Sequence, residues 1–244
     1  MSRAQPDFGK HRIGPSLEPD AAEPLFRAAR AELRLPRDGV EFDETLYHAA
    51  LRRERLARWA SALPELADAR CDRRALAAAA LFHDAAVAEE VRHGRLDRSH
   101  ILLSPLDTAL RERSVDRLQA ACDGLLAAPS RQAAVRALRE CSSRDAAAPE
   151  AVALGEAIEL LDLGPAWLWL EARRAVVEGR EPLEVLDAWR RQNDYGYWDA
   201  RVRERLRFDA TRRLARARLE TLAGLVDALR THFEAADLDP PLTP

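Results

Sequence analysis

The sequence predicts an all-α fold, and three observations lead there. Apolar residues recur at three- and four-residue spacing through most of the chain. No stretch shows the period-two alternation of a half-buried strand, and Asp38-Gly39 and Asp123-Gly124 lie among helical segments rather than between strands. Proline and glycine fall where helices should begin and end.

Taken in order, residues 1–18 hold Pro6, Gly9, Gly14 and Pro15 and read as an irregular arm. One domain follows over 19–236, and 237–244 reads as a loose tail. A first helix is expected from about Asp20 to Leu35, stopped by Pro36. Pro36-Arg37-Asp38-Gly39 is a turn signal. Asp43 is the expected N-cap of a second helix, on which His48, Arg52, Leu56, Trp59 and Leu63 share a face. Asp72 should cap a third helix running to Arg92-His93-Gly94. Ser104-Pro105 should open a fourth, with a break near Glu112–Ser114 and an end near Ala127. Further helices are expected from Pro129 to Cys141, from Pro149 to Asp162, from Pro165 to Gly179 and from Pro182 to Trp189. A long last helix is expected from Asp199 to Glu234. Trp59, Trp167 and Trp169 are expected in the core. Tyr195-Gly196-Tyr197-Trp198 reads as a turn packed on the core, with a pocket cover or a homo-oligomer contact as alternatives.

Composition narrows the function classes. The 244 residues are 47% hydrophobic and 32% charged, which suits a globular chain able to bury its own core. A formal net charge of -3 gives no electrostatic case for nucleic acid. No apolar run approaches the ~20 residues of a membrane span, so no membrane is expected as a partner. Cys71, Cys122 and Cys141 are odd in number and widely spaced, which points to a reducing cytoplasm.

The chemistry concentrates at Leu81-Phe82-His83-Asp84-Ala85. Leu76, Ala79 and Ala80 precede His83 by seven, four and three residues, and Val87 follows by four, so His83 falls on an apolar helix face. An imidazole and a carboxylate at a buried position need partners, because leaving them unpaired costs several kcal/mol, on the order of ~2–7 for each polar group. A core histidine with a hydrogen-bond partner meets that need. So does a divalent metal held between helices, which draws nitrogen and carboxylate ligands from several segments. The chain offers His48 on one helix, His83 and Asp84 on the next, and Glu156, Glu159 and Asp162 on a later one.

In that order the sequence resembles the HD superfamily of metal-dependent phosphohydrolases. Tyr47-His48-Ala49-Ala50-Leu51 looks like its first-histidine helix. Ala78-Ala79-Ala80-Leu81-Phe82-His83-Asp84 looks like its His-Asp helix. Glu156-Ala157-Ile158-Glu159-Leu160-Leu161-Asp162-Leu163-Gly164-Pro165 looks like its late acidic segment. The resemblance spans about residues 43–232 and implies an HD-like bundle of roughly eight helices. It implies metal ligation by His48, His83 and Asp84. Ile158 falls where the family carries its late aspartate, so Glu159 and Asp162 are the residues expected to complete the set. Cys141 falls where a further family histidine is often found, which implies one metal rather than two.

The implied activity is hydrolysis of a small phosphorylated metabolite or nucleotide. The ion would be Mn, Fe, Ni, Co, Zn or Mg. It would acidify a bound water and polarise a phosphoryl oxygen, with Asp84 as the catalytic residue that orients the water. His100 or Arg144 would meet the phosphate. The same residues also allow a catalytically inactive HD-like binding or oligomerising protein with an incomplete metal site, and an unrelated bundle with chance histidines.

Overall fold

The computed structural model describes residues 23–37, 40–102 and 106–234. The expected arm at 1–18, the tail at 237–244 and the Ser104-Pro105 helix start lie outside them. Among the described residues eleven α-helices carry the fold, and none of them is long and apolar enough to cross a membrane. Helix α1 (Pro24–Leu33) starts at its proline and buries Leu25, Phe26, Ala29 and Leu33. Two short strands follow, β1 (Leu35–Arg37) and β2 (Val40–Asp43), paired antiparallel with Leu35 opposite Asp43. This corrects the expectation that the turn after α1 carries no strand on either side. Strands of three and four residues are too short to display an alternating pattern.

The Asp43 carboxylate accepts from the Thr45 N–H and hydroxyl just before α2 (Thr45–Ser61), but the N-cap position falls one residue later than expected, on Glu44. Asp72 caps α3 (Arg73–Phe82) as expected. The helix expected to continue to Arg92 is instead broken at His83-Asp84 and resumes as α4 (Ala85–Arg92). Helix α5 (Thr108–Ala121) is capped by Asp107 and runs unbroken through Glu112–Ser114, against expectation. Helices α6 (Ala128–Glu140), α7 (Pro149–Asp162) and α8 (Pro165–Glu178) begin on or beside prolines, and Gly179 closes α8 in the left-handed conformation. Helix α9 (Pro182–Asp194) outruns its expected end at Trp189.

The long final helix is two, α10 (Tyr197–Arg205) and α11 (Asp209–Phe233). The buried Glu156 carboxylate accepts from the Arg207 N–H at 2.8 Å and from the Thr211 hydroxyl. Those bonds supply a partner at the start of α11 that a continuous helix would not need.

Helix α2 lies between α3 and α7, and α3 also packs on α6. The contact faces are small: Ala49, Ala50, Ala57 and Ala60 on α2, and Ala75, Ala78, Ala79 and Ala80 on α3, all buried. Gly155 on α7 allows the closest approach, since a Cβ there would sit 2.5 Å from the Cys141 carbonyl oxygen. A second apolar cluster is built on α8 to α11 around Trp167, Trp189 and Trp198, whose ring centroids lie 5.2–5.7 Å apart. Of the expected core-packed turn, Trp198 on α10 does pack on this core, whereas Tyr195 before the helix is exposed. Trp59 and Trp169 are not core residues, being 39% and 78% exposed. Each stands at helical spacing but on the side of its helix away from its neighbours.

Candidate functional site

The break between α3 and α4 places His83 and Asp84 at a buried corner rather than on a continuous helical face. Ser114 on α5 fills the break. Its hydroxyl donates to the His83 carbonyl (2.9 Å) and accepts from the Ala86 N–H (3.1 Å), inside a fully buried position. Both backbone groups lose their helical partners at the break, so Ser114→Ala strands them away from water. The variant is expected to lose about 1–3 kcal/mol in urea denaturation, more than an exposed Ser→Ala.

The two side chains meet each other and a third. His83 Nδ1 donates to Asp84 Oδ1 at 2.7 Å. Arg53, from the middle of α2, donates through Nη2 to Asp84 Oδ2 at 2.5 Å and through Nη1 to the Ala80 carbonyl oxygen at 3.1 Å. The Arg53 and Asp84 side chains are 4% and 5% exposed, so this ion pair is screened from solvent and held by hydrogen bonds on both partners. Burial alone would raise the Asp84 carboxyl, but Arg53 and His83 outweigh it and hold it well below the usual carboxylate range. Burial and the Arg53 charge push the His83 imidazole down, against the pull of Asp84.

A pH dependence follows. His83 has a folded-state pKa below its unfolded value of 6.5, so the unfolded chain takes up the proton first. Stability is then full above about pH 6.5 and falls as the solution is acidified through the depressed pKa, at up to about 1.4 kcal/mol per pH unit for one proton. Asp84 adds a second loss at lower pH, below its unfolded 3.8. Urea titrations of wild type and His83→Gln across pH 7.5 to 5 should show the steeper fall in wild type alone.

The remaining expected site residues divide. His48 is exposed, on a different side of α2 from the buried Ala49, Arg53 and Ala57. At about 100° per residue, Arg53 stands about 140° around the helix from it. The expected face of His48, Arg52 and Trp59 is thus corrected: the buried face of α2 carries Leu46, Ala49, Ala50, Arg53, Ala57 and Ala60. Glu159 and Asp162 do come together, on Arg201 of α10, whose Nε donates to Glu159 Oε2 at 3.0 Å while Nη2 lies 3.5 Å from Asp162 Oδ2. Partial burial and the neighbouring Glu159 disfavour the Asp162 charge, and Arg201 and Arg53 offset part of that cost. Ile158 packs against the core.

His100 is exposed on a one-turn 3-10 helix, near the Ser99 hydroxyl. Arg144 is exposed, and its carbonyl oxygen accepts from Arg207, which also binds the Ser143 and Ala146 carbonyls at 2.9 Å. Both residues serve or border loop structure rather than the His83–Asp84 corner.

The donor set does not fit a metal. Among the described residues no group of three or more His, Cys, Asp or Glu side chains is placed to hold an ion. One Asp84 oxygen is committed to Arg53 and the other to His83, His48 is elsewhere, and the late acids are paired with Arg201. Arg53, Ser114 and Arg201 are the residues that sequence reasoning missed. Arg53 carried a signal, being a lone charge in the stripe Ala49, Arg53, Ala57, Ala60. Comparison with family profiles, curated proteins and solved structures returns no match.

Proposed function

We propose that this chain is a non-catalytic, HD-like helical module, a binding or oligomerising protein in which an arginine replaces the metal ion. The observation that carries this reading is the Arg53–Asp84 pair at 2.5 Å, closed off from solvent with His83 on the second oxygen. A guanidinium supplies the positive charge that the carboxylate needs, but it has no open coordination position at which to acidify a water. The His83–Asp84 corner then fixes the join between α3 and α4 and keeps α2 in register against them. Helix α8 supports the interaction role, since Trp169 and Val176, seven residues apart on one face, are 78% and 81% exposed.

The test is turnover. Purified protein is assayed on p-nitrophenyl phosphate, nucleoside monophosphates and sugar phosphates with Mn, Fe, Ni, Co, Zn or Mg added in turn. The reading predicts no turnover above that of Asp84→Asn with any metal. Metal-dependent release of phosphate that Asp84→Asn abolishes overturns it in favour of an HD-type phosphohydrolase.

A further inference from the structure

Residues 197–218 carry eight arginines against three acids, in a chain whose net charge is -3. Three of the eight are tied inward. Arg201 holds Glu159 and Asp162, Arg207 holds the 143–146 loop, and Arg218 donates to the Leu160 carbonyl oxygen at 2.5 Å. Three others line one cleft of about 440 Å³ between α10 and α11, together with Asp199. Asp199 and Arg203 stand one turn apart on α10, and Arg212 and Arg216 one turn apart on α11, so each helix presents a pair.

Their charges are poorly compensated. Arg216 and Asp199 have no ion-pair partner among the described residues. Among the described residues Arg203 pairs with its exposed neighbour Glu204 alone, at 3.4 Å. Arg212 is oriented by the Leu206 carbonyl oxygen, which accepts from its Nε at 3.0 Å, and lies 3.3 Å from the exposed Asp209. Like charges brought to one cleft repel until an anion enters, and guanidinium groups match phosphate oxygens through paired N–H donors. The volume is that of a small-molecule site. A lone carboxylate among the arginines opposes a bare anion, but it accepts a hydrogen bond from a hydroxyl.

We infer that the α10–α11 cleft binds a small phosphate ester that carries a free hydroxyl. Arg203, Arg212 and Arg216 take the phosphate, and Asp199 accepts from the hydroxyl. None of the four belongs to the His83–Asp84 cluster, so a failed titration here leaves the reading above standing.

The test is calorimetric titration of the full chain with ADP, pyrophosphate and adenosine, without metal and at about 0.1 M salt, where long-range surface attraction is largely screened. ADP and pyrophosphate are expected to saturate and adenosine is not. Arg212→Gln and Arg216→Gln should each weaken both phosphates by about tenfold, the scale of one charge-assisted hydrogen bond. Arg190→Gln, a change at an exposed arginine of α9, should leave both unchanged. Asp199→Asn should weaken ADP while tightening pyrophosphate. Absence of saturation with either phosphate at millimolar concentration overturns the assignment. So does equal weakening by Arg190→Gln and Arg216→Gln, or tightening of both ligands by Asp199→Asn.

Discussion

Asp84→Ala is expected to lower the free energy of unfolding by about 3–5 kcal/mol, because it leaves the Arg53 guanidinium buried with no counter-charge. Arg53→Ala should cost a similar amount for the converse reason. The double variant Arg53→Met/Asp84→Leu removes both charges and fills the space with apolar atoms of similar size. It should return close to wild-type stability, since a buried pair replaced by packed apolar groups is often neutral or better. Urea denaturation of wild type, Arg53→Met, Asp84→Leu and the double variant closes a cycle that gives the coupling, as the sites are in contact and their effects are not additive. A metal centre predicts a different pattern. Without its ion, crowded ligands repel, and loss of one aspartate would leave stability unchanged or improved.

The second large effect is at Phe82. Its ring is fully buried at the end of α3, immediately before the corner. Phe82→Ala deletes most of a large core side chain and leaves a cavity in a cluster of alanines that cannot collapse to fill it. The expected loss is about 3–5 kcal/mol. The two variants separate packing from charge. Phe82→Ala should lower stability by a similar amount at every pH, whereas the cost of Asp84→Ala should stay full at pH 7.5 and pH 5 and shrink only below about pH 3.8, where the carboxylate's contribution is lost.

Much of the helical layout was legible in the residues. Pro149, Pro165 and Pro182 mark helix starts, and Gly179 marks an end, because those residues act on the backbone locally. The two missed breaks, at His83-Asp84 and at Leu206–Phe208, depend on side chains far along the chain. Ser114 is 31 residues from His83, and Glu156 is 51 from Arg207. A local pattern of apolar residues cannot carry such information. The strands escaped notice because three or four residues do not establish a period.

The candidate site was legible only at its centre. His83 and Asp84 do form a buried, mutually bonded pair, as their place in an apolar run required. The rest turned on which side of α2 faces inward. Leu56 and Trp59 suggested the stripe that includes His48, but the buried face of α2 is the one that carries Ala49, Ala57 and Ala60. Arg53 is carried in with them, its long stem lying along apolar surface and its charge reaching Asp84. The role of Glu159 and Asp162 was likewise hidden by Arg201, 42 residues beyond Glu159, which takes both.

The most direct measurement is the metal content of the protein. Wild type, Asp84→Asn and His83→Ala are incubated with Mn, Fe, Ni, Co, Zn or Mg salts, desalted and analysed by elemental mass spectrometry. An arginine-neutralised corner predicts no stoichiometric metal in wild type and no difference among the three proteins. Near-stoichiometric metal in wild type that disappears in both variants would contradict it.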